Sequence, residues 1–397
     1  MEQLSARIRR LSGSQTIAMN QKSRDLQEKG VDVINLSVGE PDFPTPPHVK
    51  EAAKKAIDDN FSFYPPVAGF TDLKQAISRK FAVENNLEYS TDKILVTNGA
   101  KHALANALMC LVDEGDEVII PAPYWVSYVE LVKLAGGASV IIKSGIEDNF
   151  KIKPAQIEEA ITSRTKILLL CSPNNPTGSV YTRGELNEIS EILTRYPNIF
   201  VISDEIYEHI NFTGKHESIA GIEEVHERVV VVNGVSKAYA MTGWRIGYLA
   251  ASTEIVNACT KLQGQFTSGA STIAQKAAVA ALSGDNSYTY RMKEAFLRRR
   301  DLVYKLAKKI EGMKISRPQG AFYLFPDISA FLGLSFEGKK INDDNDFCLL
   351  LLENAHVAAV PGEAFGAPGF IRVSYATSDT RLTEAFARIE KLLKKLQ

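Results

Sequence analysis

The stretch "RVVVVNGVSKAYAMTGWRIGY", Arg228 to Tyr248, runs four valines into Asn233 and Gly234, then sets Ser236 before Lys237 and places Arg245 among glycines. An unbroken β-branched run closed by Asn-Gly predicts a strand buried on both faces, the kind found inside parallel sheets. Lys237 then stands just past the strand's end, where α/β sheets hold their ligands. A lysine after a strand is ordinarily a solvated loop residue. Here Gly234, Gly243 and Gly247 let backbone approach a ligand closely, and Arg245 can fork onto a phosphate or carboxylate. A lysine beside such an anion cradle points to a covalently held carbonyl cofactor, although spacing alone leaves the solvated loop open.

The same grammar extends outward on both sides. Strand-like runs in "KILVT", "DEVIIPAP", "ASVIIKS", "TKILLLCSP" and "IFVISDE" alternate with helical patterns from about residue 46. That βαβ alternation predicts an α/β fold with a mostly parallel sheet flanked by helices. From about residue 290 the pattern changes to one long amphipathic helix, short strands in "AFYLFPDI", "HVAAVPG" and "FIRVSYA", and a closing helix. This predicts a large domain over 46–290 and a smaller α+β domain over 291–397, with the N-terminal segment 1–45 packing on the latter.

Bulk composition narrows the function classes. The 397 residues are 45% hydrophobic and 23% charged, and 46 basic against 47 acidic side chains leave a formal charge of −1. Nothing in that balance favours nucleic acid or an anionic membrane. Cys110, Cys171, Cys259 and Cys348 lie far apart without a CxxC pair, and the six histidines form no HExxH or similar spacing. The expectation is reduced, mostly buried thiols and no catalytic metal. No run approaches a membrane span, and "MEQLSARIRRLSG" lacks the apolar core of a signal peptide, so the chain is expected in the cytoplasm.

Other strand ends add chemistry. In "KILVTNGAKHAL" a strand runs into Asn98, Gly99 and Ala100 before a helix opens at about Lys101. Free N–H groups there make an anion site, or an ordinary βα turn. "FVISDEIY" brings Asp204 and Tyr207 to another strand end; Asp204 is either a helix N-cap or a carboxylate able to hold a protonated ring nitrogen. "CSPNNPTG" is a rigid polar turn around Asn175, and "PAPYWVSY" sets Trp125 where its indole can cover a flat ring or pack in the core. In "FIRVSYA", Arg372 sits among apolar neighbours and either faces solvent or clamps a carboxylate.

Together these stretches, with "VGEPDFPTP", "SPNNPTG" and "SDEIY" in matching order, resemble the fold type I pyridoxal-phosphate enzymes, within them the class I aminotransferases of the prokaryotic aspartate aminotransferase group. The likeness covers essentially the whole chain. It implies a seven-stranded large-domain sheet and pyridoxal 5'-phosphate as cofactor. Lys237 would carry the cofactor as a Schiff base and move the proton, Asp204 would pair with the ring nitrogen, and Tyr207 and Asn175 would bond the ring's phenolic oxygen. Trp125 would lie on the ring face. The phosphate would rest on Gly99, Ala100 and Lys101, closed by Gly234, Ser236 and Arg245, with Tyr64 reaching across from the second subunit of a homodimer.

For substrate, the resemblance implies that Arg372, Asn175 and the Gly39 backbone hold the α-carboxylate, while Lys101, Ser14 and Thr16 serve a distal carboxylate. Aspartate and 2-oxoglutarate would then exchange an amino group by a ping-pong cycle. Relatives that transaminate prephenate tend to carry lysine where this chain has Ser12. The rival readings are a sister activity on aromatic amino acids, alanine or prephenate, a β-lyase of the same fold, and a non-catalytic cofactor-binding regulatory module.

Overall fold

The computed structural model describes residues 4–397. Its centre is a seven-stranded sheet. The strands are β1 (Ile94–Thr97), β2 (Glu117–Ala122), β3 (Ala138–Lys143), β4 (Thr165–Cys171), β5 (Phe200–Asp204), β6 (Val229–Gly234) and β7 (Gly247–Ala250), in the spatial order β1-β7-β6-β5-β4-β2-β3. All neighbours run parallel except β7, which is antiparallel to both β1 and β6.

The valine run shows why this sheet forms. Side chains alternate across a strand, and both faces of β6 are covered. Val229 and Val231 enter the core on one face, Val230 and Val232 that on the other, all fully buried. The run in β4 divides the same way, Leu168 and Leu170 against Ile167 and Leu169. Each such side chain contributes roughly 1.5–3 kcal/mol of burial, so a period-2 polar residue would cost about that much at each site.

Five helices matter for the site: α1 (Gln15–Glu28), α2 (Ala100–Leu111), α3 (Ser127–Ala135), α4 (Ser287–Ala307) and α5 (Asp379–Leu393). On α5, Leu382, Ala385, Phe386, Ile389, Leu392 and Leu393 repeat at helical spacing and are all buried. They join a separate core with Val303, Phe322 and Phe347, which also takes in Met19, Val33, Ile34 and Leu36 from the N-terminal segment. Ile34–Asn35 pairs in parallel with Val357–Ala358. Further on, β8 (Tyr323–Leu324), β9 (Val360–Pro361) and β10 (Ile371–Ser374) form a small antiparallel sheet in the order β9-β10-β8.

The N-terminal segment does not keep to this second core. The Ser12 N–H donates to Glu130 Oε2 on α3 at 2.8 Å, so the chain crosses the large-sheet side before α1 begins. None of the helices among the described residues is long and apolar enough to cross a membrane.

Candidate active site

Strands β4, β5 and β6 are parallel, so their carboxyl ends open on one edge of the sheet, where loops can turn side chains toward a common point. A cavity of about 240 Å³ lies there, and Lys237, Asp204, Asn175 and Arg372 all line it. Lys237, in the turn after β6, donates from Nζ to the Gly39 carbonyl at 2.6 Å. Among the described residues no carboxylate makes an ion pair with it. Burial brings its pKa down to about 8; Glu40 opposes this, while the positive charges of Arg372 and Arg245 reinforce it. A lysine so placed yields its neutral, nucleophilic form far more readily than a surface lysine.

Asp204 ends β5 and is 4% exposed. Its Oδ2 accepts from the Tyr128 hydroxyl at 2.7 Å and its Oδ1 from the Ile206 N–H at 3.2 Å. Burial pushes its pKa up to about 6 against the pull of those two donors. A carboxylate held this way has a strong preference for a cationic partner arriving in the cavity.

The anion cradle is built from backbone. Gly99 caps α2 at φ +84°, a conformation favouring glycine, and a Cβ on it would run into the Arg245 guanidinium. Gly247 lies against the backbone of Gly99 and Ala100, where a Cβ would also collide. Arg245 is itself left-handed at φ +58° and donates to the carbonyls of Thr242 at 2.8 Å and Asn98 at 3.3 Å. Its charge therefore sits at the amino end of α2 with no acidic partner among the described residues, which suits a phosphate. Ser236 and Ala100 line the same end of the cavity, while Gly234 lies behind it against Gly247.

The opposite end holds a buried arginine. Arg372, in β10, is 2% exposed; it donates to Asn175 Oδ1 at 3.0 Å and to the Ser37 carbonyl at 2.7 Å, and its Nε has no partner. Asn175 spends its carbonyl on Arg372, so the amide NH₂ is the end it can offer a ligand. The Lys101 ammonium lies 4.9 Å from the Trp125 ring centre, both at the cavity wall. Thr16 reaches the cavity with its buried Oγ1 unpaired.

Two candidates stand apart. The Ser14 hydroxyl accepts the Ile17 N–H as the N-cap of α1, and Ser14 does not line the cavity. Tyr64 is 94% exposed and also outside it. Conversely, Tyr128, Tyr323 and Cys171 line the cavity without having been singled out from sequence. Tyr128 bonds a residue 76 positions away and Tyr323 one 116 away, contacts that no local pattern announces.

The fold also gathers polar groups that look scattered in the sequence. Behind β5, Lys80 pairs with Glu208, His216 bonds Glu205 at 2.9 Å, and His209 bonds Glu84 at 2.9 Å. Two triplets, Glu84–Glu208–His209 and Glu205–Glu208–His216, bring potential metal-ligating atoms within 4.8 Å of one another. The Lys80 ammonium pairs with two of these carboxylates, Glu208 and Glu84.

The profile of the family described as aminotransferase class I and II matches residues 31–389. The chain belongs to that family. It is 48% identical to the aspartate/prephenate aminotransferase of Cereibacter sphaeroides over 98% of both chains. It is 47% identical to the bifunctional aspartate aminotransferase and glutamate/aspartate-prephenate aminotransferase of Petunia hybrida, over 98% of this chain and 82% of that one. The crystal structure of the Rhizobium meliloti aspartate aminotransferase superposes with a TM-score of 0.96 at 43% identity, covering 100% of both chains. The seven-stranded, mostly parallel sheet is thus the fold type I arrangement, and the chain is an aminotransferase.

Proposed function

We propose that this aminotransferase moves the amino group of L-aspartate to 2-oxoglutarate, with pyridoxal 5'-phosphate as its cofactor. The observation that carries the reading is Lys237: a lysine with its pKa brought down to about 8, without an acidic partner among the described residues, in a cavity with Asp204 and Arg372. The residues fit that cofactor on structural grounds. Buried Asp204 suits a protonated ring nitrogen, the glycine-lined cradle with Arg245 suits a phosphate, and Lys237 suits a carbonyl carbon.

When bound, the cofactor supplies an electron sink for the substrate's α-carbon. The chain's own groups do the rest. Arg372 and the Asn175 amide orient the α-carboxylate, and Lys237 Nζ removes and returns the α-proton. Asp204 keeps positive charge on the ring nitrogen. Gly99, Ala100, Lys101, Ser236 and Arg245 would anchor the phosphate, with Gly234 behind them against Gly247, while Tyr207 and Asn175 would hold the phenolic oxygen and Trp125 would cover the ring. Lys101 and Thr16, which line the cavity, would serve a distal carboxylate. Ser14 would support that end through the N-cap its hydroxyl oxygen gives α1.

We further propose that the enzyme works in the cytoplasm as a homodimer, with 1–45, 46–290 and 291–397 as its structural divisions. Phe63, Tyr64 and Phe266, exposed by 83%, 94% and 70%, support a face covered by a second copy. Mixing Tyr64→Ala and Lys237→Ala variants should then restore part of the activity; no recovery after verified subunit exchange would remove the shared site.

The deciding experiment is a spectrum of the cofactor-loaded protein with excess L-aspartate and no oxo acid. Loss of the visible band, reversed by 2-oxoglutarate, is expected. Bleaching by alanine or tyrosine but not aspartate would overturn the substrate assignment and leave the fold standing. Prephenate as acceptor is the second reading, favoured by the names of two relatives. Against it, Ser12 brings no cation to its position.

A further inference from the structure

Tyr323 belongs to β8, on the small antiparallel sheet, yet it meets three parts of the site at once. Its hydroxyl lies 2.7 Å from that of Tyr207, and both rings are buried. Its ring lies 4.5 Å beneath the Arg372 guanidinium. A Cβ placed on Gly39 would come within 2.6 Å of its hydroxyl, and Gly39 is the residue whose carbonyl holds Lys237 Nζ.

Proton counting orients the tyrosine pair. Each hydroxyl has one proton to donate. If Tyr207 donates to an anionic oxygen in the cavity, it can only accept from Tyr323, which must then donate. The two hydroxyls become a directed chain in which each bond polarises the next. The charged or titratable groups facing Tyr323 are Arg372, Tyr207, Cys171 and Glu40. Burial raises the Tyr323 pKa and the Arg372 charge partly offsets that rise, so neutralising the charge would weaken the hydroxyl as a donor.

We propose that Tyr323 is a positioning residue that couples the carboxylate clamp at Arg372 to the cofactor's phenolic oxygen through Tyr207. The inference rests on the function proposed above and extends it. A carboxylate arriving at Arg372 neutralises the charge over the Tyr323 ring and weakens the donor chain. Occupancy of the substrate site is thereby felt at the cofactor by a route separate from the direct Arg372–Asn175 hydrogen bond.

The test is Tyr323→Phe, which keeps the ring against Arg372 and removes only the hydroxyl. The pH midpoint of the bound cofactor's visible absorbance is read with and without succinate, a dicarboxylate that carries no amino or oxo group. The donor chain favours the more anionic form, so its loss should raise the midpoint by roughly 0.5–1 pH unit. Succinate should displace the variant's midpoint less than the wild type's. kcat should fall several-fold while KM for aspartate stays within about twofold, since the clamp itself is intact.

A double variant separates this role from general packing. In a Tyr207→Phe background, adding Tyr323→Phe should leave the midpoint unchanged. An unaltered midpoint in the single variant, or an equal displacement with and without Tyr207, would overturn the coupling while leaving the aminotransferase reading intact. Failure of the wild type to acquire a visible band would instead remove the cofactor reading, and this inference with it.

Discussion

Lys80, buried, and Lys237, half-buried at the cavity, both lie close to β5, and they are handled in opposite ways. Lys80 is 3% exposed and wrapped by the carboxylates of Glu208 and Glu84 and the Asn85 side chain. Lys237 has, among the described residues, the Gly39 carbonyl as its one hydrogen-bond partner, and burial, reinforced by Arg372 and Arg245 against Glu40 and Asp204, lowers its hold on its proton. Buried charge is costly unless paired. The paired lysine therefore reads as part of the scaffold, whereas the unpaired one carries a stored demand that a carbonyl ligand can satisfy. The adjacent acids divide similarly: Glu205 is satisfied by Ser203, Ser218 and His216, while Asp204 has, among the described residues, the neutral donors Tyr128 and Ile206.

Substituting the two lysines gives the sharpest break between these roles. Lys237→Met should lower kcat by at least about a thousandfold with little loss of folding stability, measured by steady-state assay and urea unfolding. Asp204→Asn should lower kcat by about a hundred- to a thousandfold, because a neutral amide cannot hold charge on a ring nitrogen. Lys80→Met should leave activity per folded molecule near wild type while costing about 3–5 kcal/mol of stability, since Glu208 would stay buried without its cation. Equal losses of activity in Lys80→Met and Lys237→Met would erase the distinction.

The smallest effect is a matter of pH. In cofactor-free protein, trapping of Lys237 by a small aldehyde and borohydride should rise with a midpoint near about 8, against about 10.4 for ordinary surface lysines. The linked stability has a defined sign. With its folded pKa below the unfolded one, Lys237 binds fewer protons in the native state between those values, so its destabilising contribution is present below about 8 and disappears as pH rises toward the unfolded pKa. Lys237→Met should flatten that part of the stability profile; an unchanged profile would mean that the lysine is not strained by burial.

Much of the candidate site was legible in the chain before it folded. The valine run, the strand-end residues Gly99, Asn175, Asp204 and Lys237, and the isolated Arg372 all follow local rules, because strand burial, turn geometry and helix capping depend on near neighbours. The alternatives left open by sequence closed only in three dimensions. Arg372 faces the site rather than solvent, and Asp204 receives Tyr128. Ser14, expected to serve a distal carboxylate, accepts the Ile17 N–H as the cap of α1, a contact set by the backbone donors within its reach.

By itself, the sequence determined the alternation of strands and helices and the chemical types assembled at their ends. It could not distinguish Lys80 from Lys237 by charge environment, since Lys80 finds its acid 128 positions away in Glu208 while Lys237 makes no ion pair among the described residues. Nor could it bring Tyr323 to Tyr207 across 116 residues. Only the tertiary structure decided those pairings, because partners distant in sequence set a buried group's solvation and charge, and with them its proton affinity.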